Sequence, residues 1–453
     1  MHALNTEILS FRLAGRQSLL IVGEEKTNTL FRANTGLSVK KYHDLLVDVM
    51  FGATPRDLAR FAADGSGRAK VPLPGTEHLA AADRFWLAWH NIFAAHLLRT
   101  KPTDDLAARF FANLTRAIAA RPTARRARAL CGDQLFDQNP AYFDAMAAFE
   151  LAIVPIAFGP PRWAAPAPHR ARERFIDMNR ACMRRALSEP GADAAVASDA
   201  PWEPVFGAPL IRALVRWGLG VGMEVDSIAG LVGVQVLNQN SNSVPASAWA
   251  VMDSLTHADG GALLARLRAE AEAALVVVVV DDGERTRCMP RSLRLRCGFI
   301  ITRDVVADGV AIGGVRVPRG AMVQAPMTIA HMNAVWEAEG HPAAEFWPER
   351  HVKTVEAVDE TTGKMVKREE FGLGSRSGYW FPYGGGVTMC PGRHFAKQEI
   401  IGTLALFVAQ FDVEVKGWVT SDGKPSDREA RHEPGFVIFQ PDRDLEVRVK
   451  RRW

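Results

Sequence analysis

The sequence predicts a mainly α chain with a small β region, and three observations carry that prediction. From Glu24 to Glu150, Ala, Leu, Arg and Phe recur at spacings of three and four, the repeat of a single helix face. A long apolar stretch, Ile211 to Leu255, and amphipathic runs at Leu263–Leu275 and Arg393–Phe411 continue the helical pattern. Alternation with a period of two is confined to short stretches: residues 6–22 on either side of a Gly turn, Val315–Pro326, Phe411–Lys416 and Phe436–Val449.

The totals narrow the function classes. The 453 residues are 48% apolar, ample for a large core; the length is long for one ordinary domain yet within reach of a large single-domain enzyme, so it leaves the domain count open. Fifty-five basic against 51 acidic residues leave +4, too small an excess to argue for nucleic acid. Basic residues gather at Arg121–Arg128, at Arg285–Arg303 and in the terminal KRRW. For the first of these a solvated face is the default, and a docking surface for an acidic redox partner the alternative. The five cysteines, Cys131, Cys182, Cys288, Cys297 and Cys390, are odd in number and contain no C-x-x-C. Neither a disulfide framework nor a zinc site follows, and a reducing compartment fits. No run of 18 apolar residues exists to span a bilayer, and no signal peptide is visible.

Along the chain, Asp83–Arg99 is helical and holds Trp86, Trp89, His90 and Arg99. Pro160–Arg162 and Ser188–Pro204 read as loops flanking a helix over His169–Leu187. Within the apolar stretch, the polar run Asn238–Ser243 is followed by Pro245, which lacks a backbone donor and kinks the turn before it. Buried amides and hydroxyls are costly unless paired, so this interruption reads as a ligand-facing notch, with a polar N-cap opening a second helix as the alternative. Val315–Pro326 reads as strand–turn–strand with Pro318 and Gly320 in the turn, and Val352–Ser377 as a charged surface loop.

The stretch that carries chemistry is Phe381–Ile400, FPYGGGVTMCPGRHFAKQEI. Three glycines lead to a lone cysteine, and a Pro-Gly turn opens the helical run from Arg393. Glycines let a backbone approach a flat cofactor closely. A cysteine at a helix N-terminus meets unpaired N–H groups and the positive end of the dipole, which favours the thiolate an iron ligand requires.

This stretch resembles the signature of the cytochrome P450 haem-thiolate enzymes, F-x-x-G-x-x-x-C-x-G with a following Ala. It falls on Tyr383, Gly386, Cys390, Gly392 and Ala396, with only the leading aromatic changed. Five further stretches resemble the family in order, from about Glu7 to the C-terminus. The implied fold is mainly α with a small β region, with haem b (iron protoporphyrin IX) between the long central helix and the Cys-ligand loop. The resemblance makes Cys390 the metal ligand. Arg303 becomes the holder of haem propionates, with Trp86 or His90 beside it; the family's W-x-x-x-R is absent, and for those two residues ordinary core packing is the other reading. Tyr383 packs beneath the sulfur, where its hydroxyl would raise the iron potential if it reached that atom. Members usually carry an acid followed by Thr in the central helix, to relay protons to dioxygen. One branch, including sterol 7- and 12-hydroxylases, prostacyclin synthase and many fungal enzymes, shows A-N-T-x-P instead. Here Ser241-Asn242-Ser243-Val244-Pro245 resembles that branch, with Asn242 in the place of the threonine and Ser241 in that of the acid. An amide hydrogen-bonds but has no titratable proton. The resemblance sets Pro245, Phe299, Phe436 and Val437 against substrate.

The chain departs from the family at E-x-x-R, which here reads Arg291-Ser292-Leu293-Arg294. Glu284–Arg287 also spells E-x-x-R but lacks the strand that follows Arg294. In the family the Glu lies between two arginines, its own and that of P-E-R-F, here Arg350. Three buried cations together cost several kcal/mol unless rearranged. Arg291 is therefore expected to turn away, with Glu349, Glu284 or water pairing Arg294 and Arg350.

The implied activity is oxidation of a small apolar terpenoid, sterol or polyketide in secondary metabolism, with NADPH electrons delivered by cytochrome P450 reductase to a monomer. A reductase-independent isomerase or lyase rearranging a peroxide, or a haem-binding degraded relative, is the alternative. Eukaryotic members usually have a membrane helix and a Pro-rich hinge before the first hairpin. A missing N-terminal anchor is therefore expected. The full-length protein would sit on the cytosolic face of the endoplasmic reticulum, and this chain would be soluble.

Overall fold

Strands β1 (Ile8–Leu13) and β2 (Arg16–Ile21) form the hairpin expected at the start of the chain, paired from Ile8↔Ile21 to Leu13↔Arg16. The computed structural model describes residues 7–13, 15–32, 36–120, 130–276, 289–338, 340–358, 363–433 and 437–452. Helix α1 (Glu24–Arg32), the short β3 (Leu37–Ser38), α2 (Lys40–Leu46) with a π-turn at Val47–Phe51, and α3 (Pro55–Ala63) come next. The helical pattern then continues as α4 (Phe85–Leu97), α5 (Thr100–Ala120), α6 (Asp133–Gln138), α7 (Tyr142–Phe158) and α8 (Pro166–Ser188). Helices α9 (Ala192–Ala197), α10 (Pro209–Gly220), α11 (Val225–Thr256), α12 (Gly260–Val276) and α13 (Met289–Arg296) lead to the second β segment.

That segment runs β4 (Ile300–Val305), β5 (Ala311–Ile312), β6 (Val315–Arg316), β7 (Met322–Pro326), with α14 (Met327–His331), then β8 (Val352–Val358) and β9 (Met365–Phe371). Helix α15 (Arg393–Gln410) precedes β10 (Phe411–Val419), β11 (Pro425–Ser426), β12 (His432–Glu433), β13 (Gln440–Pro441) and β14 (Asp444–Arg451). The main sheet has the order β1-β2-β7-β4-β3, with β2 and β7 parallel and the other pairs antiparallel. A second sheet, β11-β10-β14, closes the chain.

The architecture is therefore helical with small sheets, as expected, and α11 is its axis. Every residue from Ser227 to Leu237 is buried, and the helix packs on α8, α10, α12, α13 and α15. Its first half, Ile228–Leu237, belongs to the core built by the preceding helices. Its second half, with Ala246, Trp249, Ala250 and Met252, belongs to the core beneath the main sheet. The polar run Asn238–Ser243 lies where the helix passes from one core to the other. Close crossing is enforced at Gly230, where a Cβ would collide with the Phe51 carbonyl.

Four sequence expectations need correction. The break in the apolar stretch falls at Val221–Glu224, where Gly222 takes φ +68°, and α11 continues unbroken through Pro245. Pro245 removes only the helix bond to the Ser241 carbonyl, and packing on several helices outweighs that loss. The loop assigned to Ser188–Pro204 contains α9. The strands of Val315–Pro326 do not pair with each other: β6 pairs with β5, and β7 with β2 and β4. The surface loop at Val352–Ser377 contains the hairpin β8–β9, paired from Val352↔Phe371 to Val358↔Met365.

Candidate active site

The Cys-bearing loop is held from both ends. His331, fully buried at the end of α14, accepts a hydrogen bond from the Phe381 N–H at Nε2 (3.2 Å). The Cys390 N–H donates to the Tyr383 carbonyl at 2.9 Å, which closes the loop just before α15. Gly386 takes φ +61°, and a Cβ there would strike the Phe31 carbonyl of α1; one at Gly385 would strike the Phe31 ring. These two glycines therefore serve the seating of the loop on α1, while Gly392 has only ordinary contacts around it.

The expectation that the helix terminus lowers the Cys390 thiol is not met by the protein alone. Burial raises its pKa, and the Gly392 N–H and the Arg393 charge only partly oppose that rise. Cys390 nevertheless has exposed surface, as do its apolar neighbours Val387 (38%) and Met389 (37%). The thiol is thus crowded by protein yet open on one side. Metal coordination would deprotonate it outright. The Tyr383 hydroxyl is buried with no hydrogen-bond partner, so it does not reach the sulfur.

A cleft opens beside this loop, with Val387 and Thr388 on one wall and Arg68, Trp86, His43 and Arg303 on others. Arg303, in β4, donates to the Thr388 hydroxyl and to the Thr302 carbonyl. Arg68 comes from the loop before α4 and lies 5.6 Å from the Trp86 ring and 5.4 Å from the Trp89 ring. Burial pushes each guanidinium down to about 10, and the Arg303 charge adds to the effect on Arg68. The carboxylate in the lining, Asp64, is occupied by Ser66 and the Trp86 main-chain N–H. The indole N–H of Trp86 and Nε of Arg68 are buried without partners. A cleft offering donors and cations with no free carboxylate fits a dianionic group, and the two propionates of haem supply that charge.

Of the two residues expected in α4, Trp86 lines the cleft, stacked on His43 at 4.5 Å. His90 stands outside the lining, and burial and the Arg68 charge lower its pKa. Sequence reasoning missed Arg68. The available signal was the empty position in W-x-x-x-R, which implies that the second cation arrives from another segment.

On α11, Asn242 is half-buried; its Nδ2 donates to the Asn238 carbonyl at 2.8 Å, and its Oδ1 has no partner. Ser241 is turned toward Glu150 of α7. Ser243 faces the other way, in a small pocket with Asn240, Ser247 and Glu399 of α15, so the three proposed residues do not share a face. Of the substrate candidates, Pro245 is buried, and Phe299 packs edge-on to Tyr42 at 5.7 Å. The Val437 carbonyl accepts from the Gly298 N–H at 2.9 Å. Phe436 lies outside the described residues.

The arginine cluster differs from expectation. Glu349 pairs with Arg266 of α12 at 2.6 Å, and the described partners of Arg294 and Arg350 are main-chain carbonyls. Arg294 donates to His331 O (2.7 Å), and Arg350 to Trp336 O and Pro342 O. Arg294 and Arg376 also lie over the Trp336 ring at 5.3 and 5.6 Å. Carbonyl dipoles and an aromatic face thus replace the expected carboxylate. Burial still pushes Arg294 down to about 9, with Arg350 and Arg376 contributing. The Arg291 side chain and Glu284 lie outside the described residues.

A family model described as Cytochrome P450 matches residues 292–440. The chain is 31% identical to cytochrome P450 monooxygenase calL of Penicillium decumbens, over 99% of this chain and 87% of that protein. It is 27% identical to cytochrome P450 monooxygenase fsoE of Humicola fuscoatra and 24% to efuG of Hormonema carpetanum. Each of those two matches covers 72% of this chain, and 60% and 61% of the relatives respectively.

Proposed function

Because the chain belongs to the cytochrome P450 family and is a P450 monooxygenase, we propose that it inserts one atom of dioxygen into an apolar natural product. The substrate is of terpenoid, sterol or polyketide type, within fungal secondary metabolism, and NADPH electrons arrive through cytochrome P450 reductase. Carrying this reading is a single observation: an open thiol, Cys390, on the same loop as a cleft that offers cations and donors but no free carboxylate.

Haem, when bound, supplies the iron that activates dioxygen under the electronic push of a thiolate. Cys390 would ligate it, and Arg303 and Arg68 would hold the propionates, with the Trp86 N–H as a further donor. Asn242 presents an unpartnered Oδ1 that orients hydrogen-bond donors without titrating. Pro245, Phe299 and Val437 offer apolar surface to substrate. No described helix is long and apolar enough to cross a membrane; by family analogy, the site of action is the cytosolic face of the endoplasmic reticulum.

The test is incubation of the holoprotein with reductase, NADPH and labelled dioxygen over apolar precursors. Label in the product, dependent on NADPH, is the expected result. An isomerised, unlabelled product formed without NADPH would instead favour peroxide rearrangement, the reading motivated by the lack of an ionisable side chain at Ser241 and Asn242.

A further inference from the structure

The notch in α11 has hydroxyls and amides but no acid of its own; α15 brings Glu399 to its Ser243 side, where Gln239 donates to that carboxylate at 2.9 Å, and α7 brings Glu150 to its Ser241 side. Helix α7 is apolar along most of its length, and Glu150 sits in its interior, well beyond the first turn where a carboxylate is favoured by the dipole. Glu150 is half-buried. Gln440 of β13 donates to its Oε1 at a long 3.2 Å. The Ser241 hydroxyl lies beside the carboxylate, close enough to affect its titration but without a well-directed hydrogen bond. Burial is the largest influence on this carboxyl and raises its pKa, and no charged side chain contributes among the described residues. A carboxyl withdrawn from water without a cation holds its proton more tightly than a solvated one. Ser241 is also the residue whose carbonyl loses its helix bond to Pro245, and it adjoins Asn242.

Three separate elements, α7, α11 and β13, thus converge on one carboxyl that an apolar helix would be more stable without. We propose that Glu150, acting through the Ser241 hydroxyl, supplies to the dioxygen pocket the proton that α11 has no side chain to supply. The proposal rests on the monooxygenase reading. The Glu150 O–H bond breaks as its proton passes to Ser241 Oγ, and the Ser241 hydroxyl proton moves on to the oxygen atom that leaves as water. Solvent then reprotonates Glu150. Dioxygen takes up two electrons, delivered by reductase, and two protons; one oxygen ends in product and the other in water.

Because Glu150 acts through another residue, the test needs a readout that a structural role would not move. The holoprotein, its E150Q, E150D and S241A variants, and cyanide as probe of the ferric protein meet that need without a known substrate. Hydrogen cyanide must release its proton on binding, so the wild-type association rate should show an inflection set by the Glu150 carboxyl. E150Q and S241A should lose that inflection, and E150D should keep it. With reductase and NADPH, peroxide released per NADPH should rise severalfold in E150Q, and any coupled turnover should fall roughly 10²-fold. An unchanged cyanide profile in E150Q, with haem content intact, overturns the proposal. Should E150Q lose haem, S241A decides: a wild-type profile there also overturns it. Failure of the monooxygenase reading is separately visible, as a wild-type protein without a thiolate-type carbon monoxide band or NADPH-dependent turnover.

Discussion

At the scale of single residues, Arg68 combines opposite effects on the empty and the loaded protein. A buried guanidinium without a carboxylate opposes folding, whereas in the proposed site the same charge would hold a propionate. Arg68→Leu should therefore leave the apoprotein as stable or about 1 kcal/mol more stable in urea titration, while haem retained per chain after gel filtration falls severalfold. Equal haem retention would remove Arg68 from the cradle. Tyr383 gives a contrasting case. Its hydroxyl is buried and unpartnered, so Tyr383→Phe should cost no stability and leave the midpoint potential of the iron unchanged by spectroelectrochemistry. A fall in potential would mean that the hydroxyl reaches the sulfur after all.

At the scale of elements, the Cys loop and α11 are placed by backbone approach. Gly386 combines a left-handed backbone with contact against the Phe31 carbonyl, and Gly230 lies against the carbonyl of Phe51. Gly386→Ala and Gly230→Ala should each destabilise the fold by about 2 kcal/mol or more, read as a lower urea midpoint, with haem content falling in the first. The polar run of α11 makes a different prediction. Asn242 bonds the backbone of its own helix through Nδ2 and leaves Oδ1 open. Asn242→Ala should shift peroxide release or product pattern while haem content stays near wild type; unchanged turnover and products would remove it from the pocket.

At the scale of the whole molecule, the join between the main sheet and the Cys loop depends on a neutral histidine. His331 is pushed from 6.5 down to about 3 by burial, with the Arg294 charge contributing, and its Nε2 must stay unprotonated to accept the Phe381 N–H. The unfolded chain therefore binds a proton that the folded chain refuses between those values. Stability from this group is complete above pH 6.5 and declines by about 1.4 kcal/mol for each pH unit below it, until about pH 3. Denaturant titrations of wild type and His331→Gln at several pH values should show a shallower acid dependence in the variant; identical slopes would refute the linkage.

Much of the molecule was legible in the order of its residues because local chemistry decides it. Helical spacing marks the long helices, alternation the N-terminal hairpin, and three glycines before a cysteine the tight loop ahead of α15. The run from Ile211 to Leu255 was legible as apolar but not as two helices. The pattern there gives no strong stop at Gly220–Gly222, and Pro245 looked like the stronger one until packing on several neighbours outweighed its lost hydrogen bond. Arg68, the Ser241–Glu150 pair and the carbonyl partners of Arg294 join residues far apart in the chain, and no local period encodes such a meeting. The sequence by itself determined the family's chemistry, since a thiol in a tight glycine turn is a local feature. Only the tertiary structure decided which cations face the cleft and which acids reach the notch, because charges from separate segments acquire their distances and their shared burial only when those segments pack.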